Sequence, residues 1–199
     1  DETVYTIINA PVDKPNVVDS CLLILHDWSN SLALTDSMIE KERGIIREEW
    51  RTRRDASQRL LEKQLQQMFP GNKYANRIPI GSIDVINNFK PEELRAYYKK
   101  WYRPDLQAII VVGDVDVDTV EKTIKTMFSD IPTPVNPAKR EYVSVADNDE
   151  PIVSIATDKE ASSTIIYIYH KYDPMPAQLR STAAGLITDY ISAVCSQIL

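Results

Sequence analysis

Histidine and cysteine are scarce in this sequence, with two residues of each among 199. Two cysteines as far apart as Cys21 and Cys195 do not make a disulfide framework of the kind that holds small secreted domains together. The cysteines therefore leave the cellular compartment open.

Long apolar runs and excess positive charge are missing as well. No apolar run approaches the roughly 20 residues that a helix needs to cross a bilayer. The formal net charge is -6, so no general attraction to nucleic acid or to an anionic membrane is expected. Arginines between residues 43 and 59 alternate with acids such as Glu48 and Asp55, which indicates a solvated helical face rather than a nucleic-acid site.

The sequence also lacks an initiator methionine and a signal peptide, because it opens with Asp1-Glu2 instead of a basic segment and an apolar stretch. We expect the chain to begin at a cut inside a longer protein and to end, at Leu199, at another. Its 43% hydrophobic and 26% charged residues are ordinary for a globular protein with one large domain or parts of two.

Helical periodicity and start signals predict five helices. Pro91 suits the first turn of one of them, and Thr35 or Asp36 caps another that continues to Pro70-Gly71. The predicted spans are 15–31, 35–68, 90–102, 116–129 (with Asp116 or Asp118 as cap) and a last helix from Pro176 or Ala177 to the end of the chain.

Segments rich in β-branched and aromatic residues predict strands. The run LQAIIVV is continuously apolar and predicts a strand that is buried on both faces. Strands and helices mix without strict alternation, so the predicted fold class is α+β, with a mostly antiparallel sheet and helices packed on one face. The predicted strands are 3–10, 106–112, 142–145, 152–157 and 164–172.

Three prolines in the segment IPTPVNPAK, residues 131–139, predict a linker between domains. The predicted organisation is a first domain at 1–132, a proline-rich linker at 133–140 and a truncated second domain at 141–199.

The long predicted helix carries two glutamates, Glu42 and Glu49, which lie about 20° apart around the helix axis because they are seven residues apart. The apolar residues Met38, Ile39, Ile45, Ile46, Ala56 and Leu60 fall within about 60° of the same direction, so both carboxylates are predicted to point towards the core. Glu48 is rotated away from it. A buried carboxylate is costly unless a partner compensates it. A metal ion, an arginine and a hydrogen-bond network all remain possible partners.

Residues 42–50 (ERGIIREEW) resemble the second signature of the pitrilysin/insulinase family of zinc metallopeptidases, M16. In that family, a His-x-x-Glu-His motif supplies two metal ligands and a base, and a later helix carries two glutamates seven residues apart. Further similar stretches are 1–5 (DETVY), 77–81 (RIPIG), 97–114 (YYKKWYRPDLQAIIVVGD) and, more weakly, 151–160 (PIVSIATDKE).

The resemblance implies a zinc ion held by two histidines and Glu49, with Glu42 supporting the site without touching the metal. It implies M16-like, LuxS-type α/β layers, in which 1–132 is the C-terminal portion of a catalytic-type domain and 141–199 begins the next M16-like domain. The implied partners are a peptide substrate and a second M16-like half, in the same chain or in another subunit. A bacterial periplasm or cell envelope is the implied location.

The sequence departs from the family pattern at its histidines. Neither His26 nor His170 stands in a His-x-x-Glu-His motif, and the family places that motif upstream of what is here Asp1. His26 is interpreted as a surface or interface residue of a helix, and His170 as solvated or paired with the backbone.

We therefore expect part of a zinc-dependent metalloendopeptidase that is inactive by itself. The alternatives are a non-catalytic M16-like structural or partner subunit and, more distantly, an α+β binding module. The presence of both Glu42 and Glu49 favours the first.

Overall fold

The computed structural model describes residues 2–173 and 175–198. Within these residues the chain forms eight α-helices and three single turns of 3-10 helix, at Lys73–Asn76, Pro104–Leu106 and Phe128–Asp130. The α-helices are α1 (Val17–Asn30), α2 (Asp36–Arg53), α3 (Ala56–Met68), α4 (Ile83–Asn88), α5 (Pro91–Trp101), α6 (Val117–Met127), α7 (Ala177–Arg180) and α8 (Ala183–Ile198).

Local capping signals explain where several helices begin. The Thr35 hydroxyl accepts a hydrogen bond from the Met38 N–H at the start of α2, and the Asp116 carboxylate accepts one from the Thr119 N–H at the start of α6. Such bonds satisfy N–H groups that have no partner inside the helix. At α5 the Glu93 carboxylate reaches back to the Lys90 N–H, 2.7 Å away. These three predicted helix starts are confirmed.

The long helix predicted over 35–68 is wrong as a single element, because it divides into α2 and α3. Arg54 leaves helical geometry with a ψ of 63°, and the Asp55 carboxylate accepts a hydrogen bond of 2.8 Å from the Gln58 N–H. Asp55 thus begins a new helix by capping it. Ala56 and Leu60 consequently belong to α3 and do not share a helix with Glu42 and Glu49.

The predicted antiparallel sheet is contradicted by the structure. The chain is 52% helical, and none of the residues 2–173 and 175–198 belongs to a strand. The five segments predicted as strands contain no strand residues. Most of their apolar side chains are exposed: Val112, expected inside a buried strand, is 92% exposed, and Ile166 is 85% exposed. A β-branched sequence favours extended backbone, but a strand also needs a neighbour with which to pair.

The last predicted helix is interrupted at Ser181 and Thr182, which separate α7 from α8. At Gly185 a side chain would collide with the carbonyl of Arg180, so only glycine lets α8 turn this closely against α7. The predicted end of this helix at Leu199 lies outside the described residues. No helix in the described ranges is both long and apolar enough to cross a membrane.

The side chain of Arg43 joins α2 to α4. Its guanidinium pairs with Glu40 at 2.8 Å, donates to the carbonyl oxygens of Ile86 and Phe89 and lies 3.9 Å from the centre of the Phe89 ring. The carbonyls at a helix C-terminus lack partners within the helix and attract cations. Beside this contact, Ile39 of α2 and Ile86 of α4 are buried, so the packed side of α2 is the one that faces α4.

Candidate functional site

Helix α2 carries the two glutamates that the sequence singles out. Glu42 is exposed, and the side chain of Glu49 keeps 35% of its surface accessible. Between them, Ile45 is 52% exposed. Of the apolar residues predicted to share this face within α2, Ile39 is buried, whereas Met38 is 64% exposed. The prediction that both carboxylates point into the core is therefore wrong, because α2 packs on α4 through Ile39 and Arg43 and leaves the two glutamates accessible.

Arginine is the partner of Glu49 in the structure. The Glu49 Oε1 atom lies 2.8 Å from the Arg53 Nη2 atom, one helical turn further along. Glu48 makes a separate pair with Arg51, also at 2.8 Å. Sequence reasoning missed the role of Arg53, although its position four residues after Glu49 is the spacing that favours such pairs.

A cavity of about 140 Å³ lies beside this pair, where α2, α3 and the loop at 78–80 meet. Trp50 and Arg53 line it together with Ile78, Pro79 and Ile80. Arg54 stacks over the Trp50 ring at 4.7 Å and pairs with Glu62 of α3 at 3.0 Å. The loop that resembles a family signature thus lies next to the end of α2 that follows Glu49.

The two histidines occupy different settings. His26 on α1 is only 12% exposed, and its Nε2 atom lies 2.9 Å from the Asp130 Oδ1 atom. The hydrogen bond with Asp130 raises the pKa of His26, while burial opposes this rise. His170 is exposed, with its ring 6.2 Å from that of Tyr172.

The zinc ion implied by the resemblance needs three protein ligands at a catalytic site. Glu49 offers a suitable carboxylate donor. Across residues 2–173 and 175–198, however, no three His, Cys, Asp or Glu side chains come together in a way that could hold a metal. The residues that the structure describes therefore do not form a complete zinc site around Glu49.

A second charged cluster, which sequence reasoning missed, connects α3 to the segment at 157–160. Arg59 forms a two-pronged contact with Asp158 at 2.7 and 2.8 Å and a further one with Glu160 at 2.7 Å. Lys63 donates to the Thr157 carbonyl oxygen at 2.8 Å. The Arg59 guanidinium holds the pKa of Asp158 well below its usual range. These groups line an open cavity of about 610 Å³.

Comparison with known proteins gives consistent matches. Residues 88–198 match the family model described as the peptidase M16 inactive domain. The chain is 34% identical over 172 residues to a "Zinc protease PQQL-like" of Arabidopsis thaliana, an alignment that covers 86% of this chain and 18% of that protein.

Two solved structures are similar as well. The first half of the periplasmic protease PqqL from Escherichia coli aligns with a TM-score of 0.62 at 29% identity, covering 69% of this chain and 29% of that one. The ferredoxin protease FusC, solved as a variant in complex with Arabidopsis ferredoxin, aligns with a TM-score of 0.62 at 26% identity, covering 68% and 15%.

The chain spans about a fifth of the Arabidopsis relative's length. The family model covers more than half of the chain, and the resemblance seen at residues 42–50 points the same way. The chain therefore belongs to the peptidase M16 family.

Proposed function

We propose that this chain is part of a zinc-dependent metalloendopeptidase that hydrolyses peptides or unfolded polypeptides. Glu49 is one metal ligand, and Glu42 supports it from the preceding turns of α2. The observation that carries the proposal is the placement of two accessible carboxylates two turns apart on α2, in a chain whose relatives are named as zinc proteases.

The role of this chain towards zinc is to offer the Glu49 carboxylate on a regular helix. Zinc bound there would act as a Lewis acid in peptide hydrolysis. The remaining ligands have to come from residues other than those that the structure describes, because no complete set is present among them. We therefore expect the chain by itself to show no tight stoichiometric zinc site and no peptidase activity.

Arg53 does not prevent Glu49 from taking this role. An exposed pair spaced four residues apart on a helix stabilises it by only about 0.3–0.5 kcal/mol. Structural zinc sites provide roughly 10–16 kcal/mol of binding free energy. A metal held by further ligands would therefore displace the guanidinium easily.

The experiment is a set of three substitutions in the complete protein, read first by zinc content. Glu49→Gln should remove stoichiometric zinc and peptidase activity while the circular dichroism spectrum stays the same. Glu42→Gln should weaken zinc affinity or activity by roughly 10- to 100-fold, the usual effect of losing a group that orients a ligand. Glu48 pairs with Arg51 instead, so Glu48→Gln is the matched control and should change neither zinc content nor peptidase activity.

The order of the three effects decides the outcome. Loss of zinc in Glu48→Gln but not in Glu49→Gln would show that the assignment of the ligand on α2 is wrong. Unchanged zinc content in all three variants would leave both glutamates with structural roles only.

A non-catalytic partner subunit is the second candidate, and the match of residues 88–198 to a domain described as inactive favours it. The two candidates differ in one observable. A peptidase must carry the His-x-x-Glu-His motif before the segment described here, and the intact protein must cleave an unfolded polypeptide in a zinc-dependent manner. A scaffold would lack the motif and do neither.

The same proposal includes partners and location. A protein or peptide substrate is supported by the FusC structure, which contains ferredoxin, and a periplasmic or cell-envelope location by the description of the Escherichia coli PqqL structure. A second M16-like half would complete the enzyme. Within this chain, we propose a first domain at 1–132, a linker at 133–140 and the start of a second domain at 141–199.

A further inference from the structure

His26 lies in the interface between α1 and the turn Phe128–Asp130 that follows α6. The two helices α1 and α6 pack against each other, and the His26 ring meets the Phe128 ring edge to face at 5.2 Å. Asp130 comes directly before the buried Ile131 and shortly before the proline-rich segment at 133–140. The contact therefore holds the end of α6 to α1 at the point where that segment leaves.

Both nitrogen atoms of the His26 ring face carboxylate oxygens. Nε2 is 2.9 Å from Asp130 Oδ1, and Nδ1 is 3.4 Å from Asp27 Oδ1. A neutral imidazole carries a single N–H and can donate to only one of these acceptors, whereas an imidazolium donates from both nitrogens. An ionised carboxylate can only accept. The geometry thus suits the charged ring better than either neutral tautomer.

We propose that the His26–Asp130 pair is a proton-operated latch, which holds α1 against the end of α6 when His26 is charged and loosens when it is neutral. The charged groups that act on His26 are Asp130, from the turn after α6, and Asp27, from α1 itself. Asp130 makes the shorter contact and joins two different elements, so it dominates the latch.

The direction of the pH dependence follows from these contacts. The hydrogen bond with Asp130 raises the pKa of His26 above its ordinary value of 6.5, against the opposing effect of burial, and Asp27 adds to the rise. A raised pKa in the folded state means that the latch contributes its full stabilisation below about pH 6.5. That stabilisation is lost as the pH rises through the folded-state pKa.

Urea unfolding of the 199-residue chain at several pH values between 5.5 and 8 tests the proposal. The free energy of unfolding of the wild type should fall as the pH rises above 6.5. His26→Gln and Asp130→Asn should lose this slope, and Asp27→Asn should reduce it only in part. His170→Gln, which removes the other histidine, is the matched control and should keep the wild-type slope.

A titration by nitrogen-15 NMR of the histidine rings provides a second measurement that does not depend on how stable a variant is. At pH 6 the ring assigned to His26 should carry protons on both nitrogens, and its pKa should drop in Asp130→Asn. The proposal is overturned if His26→Gln keeps the slope, or if the His26 ring carries one proton at pH 6. If His26→Gln fails to fold, Asp130→Asn and this titration decide.

Discussion

At the scale of single residues, charge pairing in this chain follows accessibility. Arg43 is largely buried and holds four groups at once, whereas Arg51 and Arg53 are mostly exposed and each pair with one glutamate on their own helix. Solvent screens the exposed pairs and makes them easy to exchange. Arg43 therefore stabilises the packing of α2 on α4, whereas Arg53 forms only an exposed pair with Glu49.

Replacing Arg43 by alanine should destabilise the chain strongly. The change removes the donors to the Ile86 and Phe89 carbonyl oxygens and leaves Glu40 without its partner, and a partly buried acceptor that loses its donor costs more than the bond itself contributes. Urea unfolding should show a clearly lower midpoint. Arg43→Lys should recover part of the loss, since one ammonium replaces a planar fork.

The control for this experiment is Arg51→Ala, which removes an arginine of the same helix whose contact with Glu48 is exposed. Its unfolding midpoint should stay close to that of the wild type. Equal destabilisation by both substitutions would show that Arg43 acts only through the propensity and charge of α2.

At the scale of elements, most helix boundaries could be predicted because their signals are local. Thr35, Asp116 and the Lys90–Glu93 pair act within a single turn of the chain. The break between α2 and α3 also had a local signal, since Asp55 followed three residues later by Gln58 is a typical helix start. The apolar spacing that continues from Ile45 and Ile46 to Ala56 and Leu60 concealed it.

The predicted sheet failed for a different reason. Extended segments such as 106–112 and 164–172 have the composition of strands, but a strand is defined by hydrogen bonds to a partner that is distant in sequence. No local pattern identifies that partner. The same reason applies to two side-chain contacts, Arg59–Asp158 and His26–Asp130. Each joins residues about a hundred positions apart, so neither could be predicted from the sequence.

Asp55 should carry most of the stability of the start of α3. Asp55→Ala removes the acceptor for the Gln58 N–H, and losing such a cap typically costs about 1 kcal/mol. The free energy of unfolding measured in urea should fall by that amount. Asp55→Asn keeps an acceptor of nearly equal capping strength and should stay near the wild type, so an equal loss in both variants would implicate the charge of Asp55 instead.

At the scale of the whole molecule, several polar contacts join the regions on either side of 133–140. Arg59 binds Asp158 and Glu160, Lys63 binds the Thr157 carbonyl, and Asn72 donates to the Ser144 carbonyl oxygen at 2.7 Å. Polar contacts of this kind are common between domains of one chain, whose interfaces are more polar than those of obligate complexes. The division into 1–132 and 141–199 is consistent with such contacts and remains a prediction.

Limited trypsin digestion should cut first after Lys139 or Arg140. Both residues are exposed and lie outside any helix, and proteases prefer accessible backbone that can fit an extended active site. Two fragments should appear before the helices are degraded, and Lys139→Gln combined with Arg140→Gln should delay their appearance.

After the cut, the ion pairs of Arg59 should hold the fragments together on size exclusion at low salt, whereas Arg59→Gln should release them. First cuts inside α2 or α5 would instead show that residues 133–140 do not separate two domains, and fragments that stay associated in Arg59→Gln would show that other contacts join them.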